Sequence, residues 1–213
     1  MDSNLPGAPA PHTRRPPGGI TVVDFFERWL PEAFTASGRH APQDAPVVRA
    51  SISGDGGGSW ELRPSEETLV VDKPGRPAPD VWVRLSAADL LVALGAPDPD
   101  LPTLMPHGWS ALDLLFLDPR DIALVRQVSG RIAVELQGRR RRRFQLDVGF
   151  GTAGVSAGRP RTTVRVDSAT FEGLRSGEIP PMKPLLDGRL KIEGDRTLAM
   201  QLVLLLGSRL ARP

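Results

Sequence analysis

Apolar positions recur along the chain with two different periods. Across residues 21–34, Val22, Phe25, Phe26 and Trp29 fall near helical spacing, with Thr21 as N-cap and Asp24 completing a capping-box-like pattern. This predicts an amphipathic helix bent or ended at Pro31. Residues 47–53 then alternate apolar and polar into a turn at Gly54, Asp55, Gly56, Gly57 and Gly58, and Trp60 and Leu62 resume the alternation. Such a pattern predicts a β-hairpin. Residues 69–72 and 81–85 read as two further strands, 86–94 as a capped helix stopped by Gly95, and 96–108 as a proline-rich loop. An apolar strand at 112–117 and a short helix at 120–128 follow.

The same order then returns. Strands are predicted at 131–137, 144–150 and 162–167, a helix at 168–175, a short strand at 189–193 and a helix at 196–206. Three blocks align in order: Ile52 and Trp60 with Leu136 and Phe144, Val83 to Ser86 with Val164 to Asp167, and Leu114-x-Phe116 with Leu190-x-Ile192. Three weak blocks in one order read together as a diverged duplication.

Composition narrows the chemistry. The chain has 213 residues, 40% of them hydrophobic, no cysteine and a formal net charge of +2. The size supports one large domain or two small ones. Without cysteine there are no disulfides, thiolate nucleophiles, iron–sulfur clusters or Cys-type zinc sites, and a reducing, cytoplasmic setting is expected. Residues 1–19 hold prolines and glycines and no long apolar run, so a disordered tail is expected there. Near-neutral net charge says little about partners, with one local exception: Arg139, Arg140, Arg141, Arg142 and Arg143 stand in a row at a predicted hairpin tip. They read either as a solvated turn guarding a sheet edge or as a contact for an anionic membrane surface or an acidic partner. Nucleic acid is not expected, because no wider basic stripe accompanies them.

Catalytic and metal constellations are missing from the pattern. The histidines, His12, His40 and His107, share no ligand spacing, there is no Gly-x-Ser-x-Gly elbow, and the glycine runs lack the context of a phosphate cradle. The nearest acid–base equipment is His107 with Asp113 and Asp118 with Asp121, which also read as loop polarity and helix N-terminal carboxylates. No cofactor, metal or catalytic residue is assigned, and the reading leans away from an enzyme.

The block from Phe171 to Leu202 carries a resemblance. Gly188, Leu190, Lys191, Ile192, Gly194 and Asp195 form a G-x-L-K-I-x-G-D pattern, preceded by Phe171-Glu172-Gly173 and a proline loop and followed by Leu198, Ala199 and Leu202. It resembles the end of the sterol carrier protein type 2 domain, of a bacterial type. Upstream, Trp60-x-Leu62, Pro79-Asp80 and Val83-x-Leu85-Ser86 look like that family's middle section, so the resemblance spans 21–206 split between two copies. Such a domain usually needs only half this chain. Two organisations stay open: tandem domains at 20–129 and 130–213 sharing the helix at 120–128, or one domain with an added N-terminal partner.

The resemblance implies an α+β fold in two related copies, a mostly antiparallel sheet covered on one face by helices, with an apolar tunnel between them. The lining it implies is Phe144, Leu146, Val148, Val164, Val166, Phe171, Leu174, Met182, Leu185, Leu190, Ile192, Leu198, Leu202 and Leu205. Each of these residues is also explained as ordinary core. The expected role is non-catalytic carriage of a fatty acyl, sterol or isoprenoid ligand. The alternatives are an accessory scaffold of a lipid, quinone or polyketide pathway, and a cyclase or isomerase using the cavity.

Overall fold

The computed structural model describes residues 15–38, 40–75, 79–102, 104, 119–151, 162–180 and 182–201. The predicted strand at 112–117, most of the expected tail, and Leu202 and Leu205 lie outside the described residues, as do His12, His107, Asp113 and Asp118.

The chain enters through a helical run: α1 (Val22–Asp24), a π-helical stretch (Phe25–Trp29) and α2 (Leu30–Ala36). Thr21 caps it as expected, its Oγ1 accepting from the Asp24 N–H at 3.0 Å. Pro31 neither ends nor breaks the run. It occupies the first turn of α2, and the widened π turn, closed by Leu30 N–H donating to the Phe25 carbonyl, comes just where proline's missing N–H interrupts the ladder.

Among the described residues eight strands follow in a single sheet: β1 (Val48–Ser53), β2 (Gly58–Ser65), β3 (Thr68–Asp72), β4 (Val81–Ser86), β5 (Gly130–Gln137), β6 (Arg143–Phe150), β7 (Thr162–Asp167) and β8 (Lys191–Gly194), in the order β3-β2-β1-β4-β6-β5-β7-β8. Only the β1–β4 and β5–β7 pairs are parallel, so the sheet is mixed and mostly antiparallel. With its helices it is the α+β fold expected from the sequence. The helices are α3 (Ala87–Ala93), α4 (Pro119–Gln127), α5 (Ser168–Ser176), α6 (Met182–Leu186) and a last helical stretch at 196–201.

The two halves share one pattern: a hairpin, a later strand parallel to the hairpin's first strand on its other side, and then a helix, the first half adding β3 beside β2 before its parallel strand. The registers agree, Ile52 opposite Leu85 in one and Leu136 opposite Val166 in the other. So do the caps: Ser86 Oγ accepts from Asp89 N–H at 3.0 Å, and Asp167 Oδ1 from Thr170 N–H at 2.8 Å. The hairpins differ by a slip from the sequence alignment. Trp60 lies opposite Ala50 and Leu146 opposite Val134, so Leu146, not Phe144, takes the place of Trp60.

The halves meet edge to edge. β4 pairs antiparallel with β6, Val81 opposite Phe150 through Arg84 opposite Asp147, making one continuous sheet. One face is apolar and packs against the N-terminal helical run, α3, α4, α5 and the stretch at 196–201. Buried apolar area on that face supplies the main folding drive.

Candidate functional site

In the first half the apolar face is filled. Trp60 (1% exposed) stacks on Phe26 with centroids 4.5 Å apart and planes 13° apart, Phe25 stacks on Trp29 at 5.5 Å, and Phe34 is fully buried. Trp60 lies over Gly58, where any Cβ would fall 2.7 Å from the indole. Its Nε1 donates to Glu27 Oε1 at 2.9 Å, and this bond, with one from Lys73, lowers the Glu27 pKa.

The second half packs differently. Phe144, Val166, Leu136 and Leu101 form one buried cluster at the end of the sheet where β5 turns into β6. Ile132, Phe150, Leu198, Val125 and Val128 form another at the opposite end. Between them runs a band of residues that are only half-buried. Val134 lies opposite Leu146 on one side and Val164 on the other, Val164 opposite Ile192, and Val148 opposite Val83 of the first half. With strands about 4.8 Å apart, this is a continuous apolar strip across the middle of the sheet. Phe171 and Leu174 of α5, with Leu185 and Leu190, are half-buried as well.

Of the residues expected to line a tunnel, Phe144, Val166 and Leu198 are buried packing at the ends of the strip, and Leu146, Val148, Val164 and Ile192 lie within it. Met182 is a correction: it is 48% exposed. In the five-residue α6 the buried side chain is Pro184, which turns Met182 and its neighbour one turn on, Leu186, away from the body of the protein. The sequence reading missed Val134 and Val83 as members of the strip. Their alternation marked the apolar face, but the half-burial that singles them out depends on what covers that face.

Charged groups occupy the other side of the sheet and form a ladder across it. Asp72 pairs with Arg63, Arg63 and Arg49 with Glu61 (3.4 and 3.2 Å), Arg131 with Asp147 (2.5 Å), and Arg165 with Glu135 (2.7 Å) and Glu193 (2.5 Å). The hydrogen bond and charge of Glu135 raise the Arg165 pKa. Trp82 continues the ladder across the junction, its Nε1 donating to Ser51 Oγ (3.2 Å) and its ring lying under Arg84 and Arg131. None of these ion pairs faces the apolar strip. Among the described residues there is no group of His, Asp or Glu that could hold a metal ion.

Arg142 is a second correction. The row of five arginines was read as one solvated tip, yet Arg142 turns inward, Nη2 to Asp89 Oδ1 at 2.6 Å and Nε to Asp98 Oδ2 at 3.0 Å. Burial works against its charge, but the two carboxylates outweigh that and raise its pKa. Arg139, Arg140, Arg141 and Arg143 are exposed.

The second hairpin with its parallel return strand, the Gly188 to Asp195 block and the apolar strip apart from Val83 fall within one matched segment. Residues 112–207 match the SCP-2 sterol transfer family. A relative, Hydroxysteroid dehydrogenase-like protein 2 of Xenopus tropicalis, is 33% identical over 92 residues, covering 41% of this chain and 22% of that protein. The chain thus spans about a fifth of that relative's length. Among solved structures, sterol carrier protein 2 of Yarrowia lipolytica in its apo form aligns with a TM-score of 0.33 at 16% identity, covering 44% of this chain and 79% of that one. The second sterol carrier protein domain of Helicoverpa armigera aligns at 0.33 and 22% identity, covering 42% and 76%. The matched segment contains α4 and β5 to β8, and with them every strip residue named above except Val83. No described helix is long and apolar enough to cross a membrane.

Proposed function

We propose that the chain carries one apolar ligand, a fatty acyl, sterol or isoprenoid molecule, along the half-buried strip of its second half, and performs no chemistry on it. The observation that carries this reading is the contrast between equivalent positions. Trp60 is locked in an aromatic stack and closed to ligand, whereas Leu146, in the same place of the second hairpin, is half-buried. The lining is Leu146, Val148, Val164, Ile192, Phe171, Leu174, Leu185 and Leu190, to which Val134 and Val83 are added.

The shared connectivity, register and caps support origin of the two halves by duplication, the first having become a filled partner. Binding along such a strip is non-directional, each buried methylene tightening it by about 0.8 kcal/mol. Selectivity therefore follows length and shape. The ion pairs on the opposite face are out of reach of such a ligand and support carriage over catalysis. A cytoplasmic setting belongs to the same proposal.

Native mass spectrometry before and after delipidation, with titration of a fluorescent fatty acid, tests this reading. One bound ligand per chain is expected. A chain that co-purifies with nothing and ignores the probe would refute it.

A further inference from the structure

Arg140 and Arg141 both adopt positive φ, 47° and 65°. With Arg142 N–H donating to the Arg139 carbonyl at 2.8 Å, they are the central pair of a mirror-image turn, a place that favours Asn-Gly and disfavours long side chains. The turn is pinned from beneath. Gly138 N–H donates to the Arg142 carbonyl and Arg139 N–H to the Asp100 carbonyl, both at 2.8 Å, while the Arg142 side chain bridges Asp89 and Asp98. A rigid, disfavoured backbone thus holds Arg139, Arg140, Arg141 and Arg143 outward. Arg140 approaches Asp100 at 3.9 Å.

The same end of the sheet carries exposed apolar groups. Gln137 lies opposite both Arg143 and Asp167, and Arg165 opposite Lys191, so β8, which follows α6 after a short link, begins toward the arginine-turn end of the sheet, two strands from β5 and roughly 10 Å away laterally. α6 leaves Met182 48% and Leu186 80% exposed, beside exposed Lys183, Arg189 and Lys191. Exposed acids in the neighbouring segments include Glu172, Glu178 and Asp187, the last paired with Arg189 at 2.9 Å.

We propose that this end of the molecule docks on an anionic lipid bilayer. The exposed arginines and lysines meet headgroup charge, and Met182 and Leu186 enter the interfacial hydrocarbon. A nucleic acid or an acidic protein tail would satisfy the arginines and leave the apolar pair in water; a bilayer satisfies both. The docking end is also the end at which Phe144 and Val166 close the apolar strip. The inference rests on the ligand-carrying reading for its purpose.

The test is co-sedimentation of the delipidated full chain with vesicles of phosphatidylcholine alone and of equal parts phosphatidylcholine and phosphatidylserine. Binding to the anionic vesicles only is expected. Replacing Arg139, Arg140 and Arg141 together by Gln weakens it about fivefold per arginine, on the order of a hundredfold in all. Leu186→Asp weakens the part that survives high salt, where the charge attraction is screened. Arg140→Asn with Arg141→Gly relieves the turn, and so raises the melting temperature while lowering vesicle binding, a result that misfolding would not give. A wild-type chain that ignores anionic vesicles, a Gln variant that binds them unchanged, or capture of RNA that Leu186→Asp leaves untouched would each overturn the proposal. Vesicle binding is read on ligand-free protein, so absence of fatty-acid uptake refutes the carrier reading alone, and absence of vesicle binding refutes the docking surface alone.

Discussion

Arg142, at the tip of the second hairpin, donates to Asp89 in the first turn of α3, joining two residues that lie far apart in the chain and in different halves of the fold. Asp89 is buried and also accepts weakly from the Gln145 N–H at 3.4 Å. The pair therefore bolts the helix of one half to the sheet edge of the other, beside the β4–β6 junction.

Arg142→Met removes both donors and leaves Asp89 and Asp98 without this partner. A loss of about 1–3 kcal/mol in unfolding free energy is expected from urea denaturation. Arg142→Lys should recover only part of it, since an ammonium on a flexible stem does not span two carboxylates as a guanidinium fork does. Equal stability of the Met variant and the wild type would show that the bolt adds nothing to β4–β6 pairing.

Asp98 gives this junction a pH dependence. The Asp100 N–H, followed by Arg142, holds its carboxyl below the usual aspartate value. A depressed folded pKa means that the unfolded chain binds the proton more readily, so the contribution is complete above about pH 4 and fades as pH falls through the folded value. Wild type and Asp98→Asn should differ most in unfolding free energy near neutrality and converge in acid. Parallel curves down to the lowest accessible pH would assign the low pKa no role in stability.

How far the sequence carried this depends on what each signal encodes. Alternation in residues such as Ile132, Val134 and Leu136 set the strands and their apolar face, and Thr21, Ser86 and Gly95 punctuated the helices through local hydrogen bonding or left-handed backbone. The pairing of β4 with β6 was not legible, because a strand's pattern states which face is apolar and not which neighbour it takes. Likewise Asp147 and Glu135 alternate with apolar neighbours along their strands, but their burial follows from the ion-pair ladder, a long-range property. Half-burial at Val134 and Leu146, the mark of the candidate site, is long-range in the same way.

Glu61 tests that ladder. It is fully buried in β2, between Arg49 and Arg63. Removing one partner of a buried ion pair leaves uncompensated charge, so Glu61→Ala should lower stability by about 3–5 kcal/mol. Chemical denaturation checks this, and a change below about 1 kcal/mol would mean that solvent or other groups readily take over the two guanidinium groups.

The last prediction exchanges the two equivalent positions. Leu146→Trp places in the second hairpin the side chain that fills the first, and should abolish fluorescent fatty-acid binding; because Leu146 packs against a buried cluster on either side, the larger ring should also cost about 1–3 kcal/mol of stability. Trp60→Leu should leave that binding intact. It removes the ring stacked on Phe26 and the donor to Glu27, and is expected to lower stability by about 3 kcal/mol, within the range for truncating a buried aromatic. The cavity left in the first half is lined by Phe26, Ile52 and Leu62 and would stay dry, open to a small apolar probe such as xenon. If the Leu146→Trp chain binds fatty acid as well as the wild type, the strip is not where the ligand lies, whatever the stoichiometry. If it loses binding while Trp60→Leu keeps it, the two halves of the sheet have divided their labour, one closed by aromatic packing and the other open to an apolar guest.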